Sequence, residues 1–131
     1  MHLIRTPKIL IIERQMIIAA DLSLQLLKLG YHVIGIHTRL EDALLTLEDN
    51  RPDIVLMSIE QHRKTKGINE IGIISKSFQI PVVFLSAHTD VEIIQQAIKI
   101  QPFAFIIKPY KIRDLQRGLQ ISLDRIESQS K

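Results

Sequence analysis

Five charged or hydroxyl-bearing residues stand at the ends of apolar runs in this chain. They are Glu13 and Arg14 after Ile9–Ile12, Ser58 after Ile54–Met57, Ser86 in Phe84-Leu85-Ser86-Ala87, and Lys108 in Ile106-Ile107-Lys108-Pro109-Tyr110. Three chemistries are open to such a set. Arg14, Lys108 and Ser86 could hold a small anion. Glu13, with Glu60 two residues past Ser58, could form a weak site for a hard cation, which prefers carboxylate oxygens. Ser58 could act as a nucleophile with Lys108 as its base, but that needs a short hydrogen bond and an oxyanion hole. The Gly-flanked strand–turn–helix elbow that presents a catalytic serine is absent around Ser58. Ser58 therefore reads as polar filler rather than a catalyst. The five histidines show no metal-ligand spacing, and only His88, just past an apolar run, falls near the same rim.

The elements that must position these residues alternate strictly. Short apolar runs give strands at Lys8–Ile12, His32–Ile36, Asp53–Met57, Val82–Ser86 and Phe103–Ile107. Between them the apolar residues recur at helical spacing. The first helix, Gln15–Leu29, is expected to turn Ile17, Ala20, Leu24 and Leu27 inward and to stop at Gly30. The second, Arg39–Asn50, turns Leu40, Ala43, Leu44 and Leu47 inward and ends before Pro52. Polar, basic Ile59–Gly67 reads as a loop. Ile68–Phe78 is a weaker helix with Ile71, Ile74 and Phe78 inward, and Gly72 lowers its propensity. A capped start at Thr89-Asp90 opens a helix to about Gln101. Val91, Ile94 and Ile98 form its inner stripe, leaving Ile93 and Ile100 outside. Lys111–Glu127 closes the chain with Ile112, Leu115, Leu119 and Ile126 inward, and Ser128–Lys131 is expected to fray. Strand–helix alternation of this kind predicts an α/β fold with a doubly wound parallel sheet, flavodoxin-like, with strand order 2-1-3-4-5 and five helices. All five polar residues then meet at the carboxyl ends of the strands, where such sheets carry their sites.

With 131 residues the chain is the size of one domain, with a core expected over about 8–127. Hydrophobic residues make up 46%, and the five Gly and five Pro are too few for a disordered chain. There is no cysteine, hence no disulfide framework or thiolate metal site, which fits a reducing compartment such as the cytoplasm. No apolar run approaches the ~20 residues of a membrane span. The net charge of +3 concentrates from Lys99 onward and in Arg63-Lys64-Lys66. Neither cluster has stacking aromatics or a docking element beside it, so solvated surface is expected rather than nucleic-acid contact.

The order and spacing of these motifs, from Ile9 to about Ser122, resemble the receiver domain of two-component response regulators. The resemblance implies roles residue by residue. The third strand of a receiver ends in an aspartate that accepts a phosphoryl group from a histidine kinase, and Ser58 stands there. Two acids follow the first strand and bind Mg²⁺ with that aspartate; Glu13 matches the first, and Arg14 replaces the second. Ser86 matches the hydroxyl that bonds the phosphoryl group, Ala87 the small residue after it, Lys108 the pairing lysine, followed by Pro109, and Phe105 the switch aromatic. A serine hydroxyl cannot form an acyl phosphate. The resemblance thus implies a non-enzymatic pseudo-receiver, with weak or absent Mg²⁺ binding and no other cofactor. It would signal through protein–protein interaction. Implied partners are a histidine kinase, an output domain, or a second copy through the face of the fourth helix, fifth strand and fifth helix. The alternatives are an anion sensor, or an unconventional phosphorelay receiver using Glu60 or Glu13.

Overall fold

The computed structural model describes residues 6–59, 64–87, 91–100 and 104–129, with the backbone only at positions 64, 65, 93, 94, 97, 100 and 129. Glu60, His88 and the helix start at Thr89-Asp90 lie outside these residues, as do the side chains of Ile93, Ile94 and Ile100. Five strands, β1 (Lys8–Ile12), β2 (His32–His37), β3 (Ile54–Ser58), β4 (Val82–Ala87) and β5 (Ala104–Lys108), form one parallel sheet of order β2-β1-β3-β4-β5. The helices are α1 (Met16–Lys28), α2 (Leu40–Asp49), α3 (Lys64–Gly72), α4 (Val91–Ile100) and α5 (Ile112–Gln129). This is the doubly wound, flavodoxin-like arrangement expected from the alternation. Among the described residues no helix is long and apolar enough to cross a membrane.

The central strands are almost wholly apolar because both faces of the sheet are covered. Leu10, Ile12, Val55, Met57, Val82 and Phe84 pack with Leu40, Ala43 and Leu47 of α2 and with Ile71 of α3. Ile9, Ile11, Ile54, Leu56, Val83 and Leu85 pack on the other face with α1 and α5. The carboxyl ends of the strands are brought level by the register: Ile12 lies beside His37 and Met57, Ser58 beside Leu85, and Ala87 beside Lys108. At the opposite end, the Lys8 amide donates to Asp53 Oδ2 at 2.7 Å and the Asp53 amide to the Lys8 carbonyl at 2.8 Å, which pins β1 against β3.

Several helix faces differ from expectation. In α1 the buried stripe is Ala19, Leu22 and Leu26, while Ile17, Ala20, Leu24 and Leu27 face solvent. The helix is apolar on two sides, so spacing alone could not choose between them. The choice is made at its end. Gly30, at φ 93°, donates to the Leu27 carbonyl, and Tyr31 donates to that of Leu26, closing the helix as buried Tyr31 leads into β2. In α2, Leu44 lies at the exposed margin. The segment read as a loop through Gly67 is helical from Lys64. Gly67 approaches Ile59 so closely that a Cβ there would lie 3.1 Å from Ile59 Cγ2, and this packing outweighs the polar sequence. The helix then continues as a π-turn over Ile73–Ser77, with the Phe78 amide bonded to the Ile73 carbonyl. Val91 and Ile98 of α4 are exposed, not inward. In α5, Ile112 is exposed and Leu123 completes the buried stripe, and the helix includes Ser128, expected to fray. Ile112 is the first residue of α5, and the buried stripe begins about one turn later at Leu115.

Candidate functional site

Glu13 follows β1 directly and is held by its amide, which donates to the His37 carbonyl of β2 at 2.9 Å. Its side chain is 2% exposed. One oxygen, Oε2, accepts from the Gln15 amide at 2.9 Å, ahead of α1, where a negative charge is favoured by the helix end. The other, Oε1, faces Lys108 Nζ at 3.9 Å. Lys108, the last residue of β5, donates to Ser58 Oγ at 2.8 Å. The ammonium thus contacts both Ser58 and Glu13, and its side chain is 29% exposed. Lys108 is joined to Pro109 by a cis peptide bond.

Ser86, on β4 beside Ile107 of β5, is buried, and its Oγ has no hydrogen-bond partner among the described residues. A buried hydroxyl without a partner is costly and marks a place where water or a ligand oxygen would be accepted. Two residues earlier on the same face, Phe84 is fully buried, and its ring stacks on Phe105 with centroids 5.6 Å apart and planes at 24°. Phe105 is 38% exposed. The sequence assigned roles to Ser86 and Phe105 but none to Phe84, which stacks on Phe105. The period-two alternation of a strand, which places residues 84 and 86 on one face, was the signal for it.

Arg14 is exposed and lines a cleft of about 20 Å³ with Thr38, Arg39, Ser58 and Glu70, room for a water molecule. Arg39 is engaged by Asp42 of α2 at 3.1 Å. The structure therefore brings Glu13, Ser58 and Lys108 together, while Arg14 shares with Ser58 the lining of the cleft. A second, larger opening of about 390 Å³ runs between β5 and α5, lined by Phe105, Ile107, Asp114, Arg117 and Ile121. Tyr110, just past Pro109, has its hydroxyl pKa pushed up to about 12, first by burial and then by the negative charges of Asp21 and Glu13.

The donor set can be tested against Mg²⁺, which requires several oxygen ligands, carboxylates foremost. Among the described residues the strand ends offer Glu13 and a neutral hydroxyl, Ser58, both already faced by an ammonium. Glu70 stands across the cleft beside Ser58, and among the described residues no three potential ligand side chains gather. These residues do not fit the ion.

The fold is that of a receiver, and the response regulator receiver domain family matches residues 9–120. The chain belongs to that family. It is 27% identical over 118 residues to the transcriptional regulatory protein PdtaR of Mycobacterium tuberculosis, covering 90% of this chain and 57% of the relative. With the phyllosphere-induced regulator PhyR of Methylorubrum extorquens it shares 31% identity over 105 residues, covering 79% of this chain and 39% of the relative. The chain thus spans about half the length, or less, of these curated relatives. The signal receiver domain of a modulated diguanylate cyclase from Desulfovibrio desulfuricans superposes with a TM-score of 0.81 at 27% identity, over 95% of this chain and 99% of that one.

Proposed function

We propose that this receiver is a pseudo-receiver, a signalling domain that works by protein–protein contact without phosphorylation of an aspartate, and so without enzymatic turnover. One observation carries the reading: the Lys108 ammonium donates to Ser58 Oγ at 2.8 Å where the family has a carboxylate. A cation hydrogen-bonded to a neutral hydroxyl supplies neither the nucleophile nor the metal ligand that acyl-phosphate formation needs. Glu60, the acid that an unconventional relay would use, lies outside the described residues. Regulatory proteins among the relatives support a signalling partner, such as a histidine kinase or an output domain, in the cytoplasm. The opening beside Phe105 and Ile107 suits either such a partner or a second copy.

The test is the amide NMR spectrum with and without Mg²⁺ and beryllofluoride. The expected result is no saturable shift at Ser58, Ser86 or Phe105. The paired substitution Arg14→Asp with Ser58→Asp, which returns three carboxylates to the rim, serves as the responsive control. Saturable shifts in the unaltered chain, running from the rim to Phe105, would overturn the reading.

A second reading rests on the unpartnered Ser86 hydroxyl. With Lys108 and Arg14 it offers donors to a phosphate-like anion. Inorganic phosphate titrated alone, without Mg²⁺, would then shift Ser86 and Lys108 saturably, whereas a pure docking module stays unchanged.

A further inference from the structure

Phe105 of β5 lies directly beside Phe84 of β4 in the register of the sheet, so the two side chains leave the same face. Their rings stack, with centroids 5.6 Å apart and planes at 24°. Their surroundings differ. Phe84 is fully buried, in the core that holds Met57, Ile71, Ile74 and Val82. Phe105 is 38% exposed and lines the opening between β5 and α5. The interior place beside Phe105 is thus already filled by an aromatic ring.

We propose that Phe84 is the positioning residue of that opening: its buried ring holds the ring of Phe105 outward in a single position, so the opening is preformed in the unbound chain. A side chain that alternates between an exposed and a buried place needs interior volume to receive it, and a close-packed core has little to spare. Phe84 cannot yield that volume by a shift of its strand. Its neighbours Val83 and Leu85 are buried in the core on the opposite face, which holds β4 from both sides. Stacked rings at this separation also attract each other beyond the area they bury, which favours the rotamer that keeps the contact. The facing wall of the opening is set independently. There α5 is drawn close to β5 at Gly118, where an added Cβ would lie 3.1 Å from Cδ1 and Cγ1 of Ile106. Both walls are therefore fixed from within the chain. An aromatic ring that is already immobile loses little conformational freedom when a partner covers it. That consequence rests on the docking role proposed above, while the placement of Phe105 does not.

NMR of the aromatic rings in the whole 131-residue chain tests it, by Phe84–Phe105 ring contacts and by carbon relaxation dispersion at Phe105. The expected result for the unaltered chain is one Phe105 rotamer in contact with Phe84, with no exchange on the microsecond-to-millisecond scale. Phe84→Leu removes the flat face and frees interior volume, and a second Phe105 position then rises at least about tenfold, into the range of a detectable minor state. Phe84→Met keeps a long apolar side chain, shifts the balance in the same direction, and covers the case in which Phe84→Leu misfolds. Leu47→Ala, in the same core but on α2, destabilises the chain and leaves Phe105 in its one position. The proposal is overturned by a Phe105 that already exchanges between two positions in the unaltered chain. It is equally overturned if Phe105 stays fixed in both Phe84 variants, or if Leu47→Ala loosens Phe105 as much as Phe84→Leu does. A response of the rim to beryllofluoride, with Phe105 fixed beforehand, would count against the pseudo-receiver reading alone. Two Phe105 positions in a chain that ignores beryllofluoride would count against the present inference alone.

Discussion

At the scale of single residues, the rim is a charge balance around one buried carboxylate. Glu13 keeps its backbone bond to Gln15 whatever happens at Lys108, but it loses its nearest cation if Lys108 is removed. Lys108→Met, which retains most of the stem, is expected to destabilise the fold by about 1–3 kcal/mol, since a buried charge is left less compensated while partial solvent access screens the loss. Ser58→Ala removes only an acceptor from a half-exposed ammonium and should cost about 1 kcal/mol or less. Urea midpoints of the two variants check the order, and a larger loss for Ser58→Ala would contradict it. Tyr110 supplies a pH dependence. Its ordinary pKa of 10.0 is raised in the folded chain to about 12, so the unfolded chain releases that proton first. Stability is therefore unaffected by this group at lower pH and falls as pH rises from 10 toward 12. Tyr31, also raised by burial, acts in the same direction. Tyr110→Phe should flatten the decline without abolishing it, as read from unfolding midpoints across that range.

At the scale of elements, what could be read from the sequence depended on how many solutions a pattern allowed. Strands such as those expected at Asp53–Met57 and Val82–Ser86 were legible because a short apolar run with a break on each side has one reading in a sheet covered on both faces. The rim residues followed, since each stands at the end of such a run. Helix faces were less legible wherever apolar residues exceeded one stripe: α1 holds two, and the wrong one was expected inward. The early start of α3 was hidden because its cause, the approach of Gly67 to Ile59, is a tertiary contact that local propensity does not contain. Glycines in helices separate the same two causes. Gly72 has nothing within 4 Å of where a Cβ would stand, so only its propensity matters. Gly72→Ala is expected to stabilise the chain by about 0.5–1 kcal/mol. Gly118 of α5 faces Ile106 of β5, with 3.1 Å to its Cδ1 and Cγ1 from an added Cβ. Gly118→Val would force the helix off β5 and should destabilise by about 1–3 kcal/mol. Opposite shifts of the urea midpoint are the expected outcome, and a destabilising Gly72→Ala would show that α3 is bound at its end by packing rather than propensity.

For the molecule as a whole, one sheet serves two cores, and that sharing is what could connect the rim to a distant surface. Alternate residues of β1 and β3 belong to opposite cores: Leu10 and Val55 to the side of α2 and α3, Ile11 and Leu56 to the side of α1 and α5. Loosening either core therefore disturbs strands that the other one needs. Leu56 is fully buried between Ile11 and Val83 in the sheet, on the α1–α5 side. Leu56→Ala should cost about 2–5 kcal/mol, the range for an aliphatic side chain deleted from a packed interior. If the two cores unfold as a single unit, the most protected amides of α2, on the opposite face, should lose hydrogen-exchange protection as much as those of α5. Loss confined to α5 would mean that the faces open separately. In that case a change at Ser58 or Lys108 could not reach Phe105 through the sheet, and only the direct stack of Phe84 on Phe105 would remain to carry it.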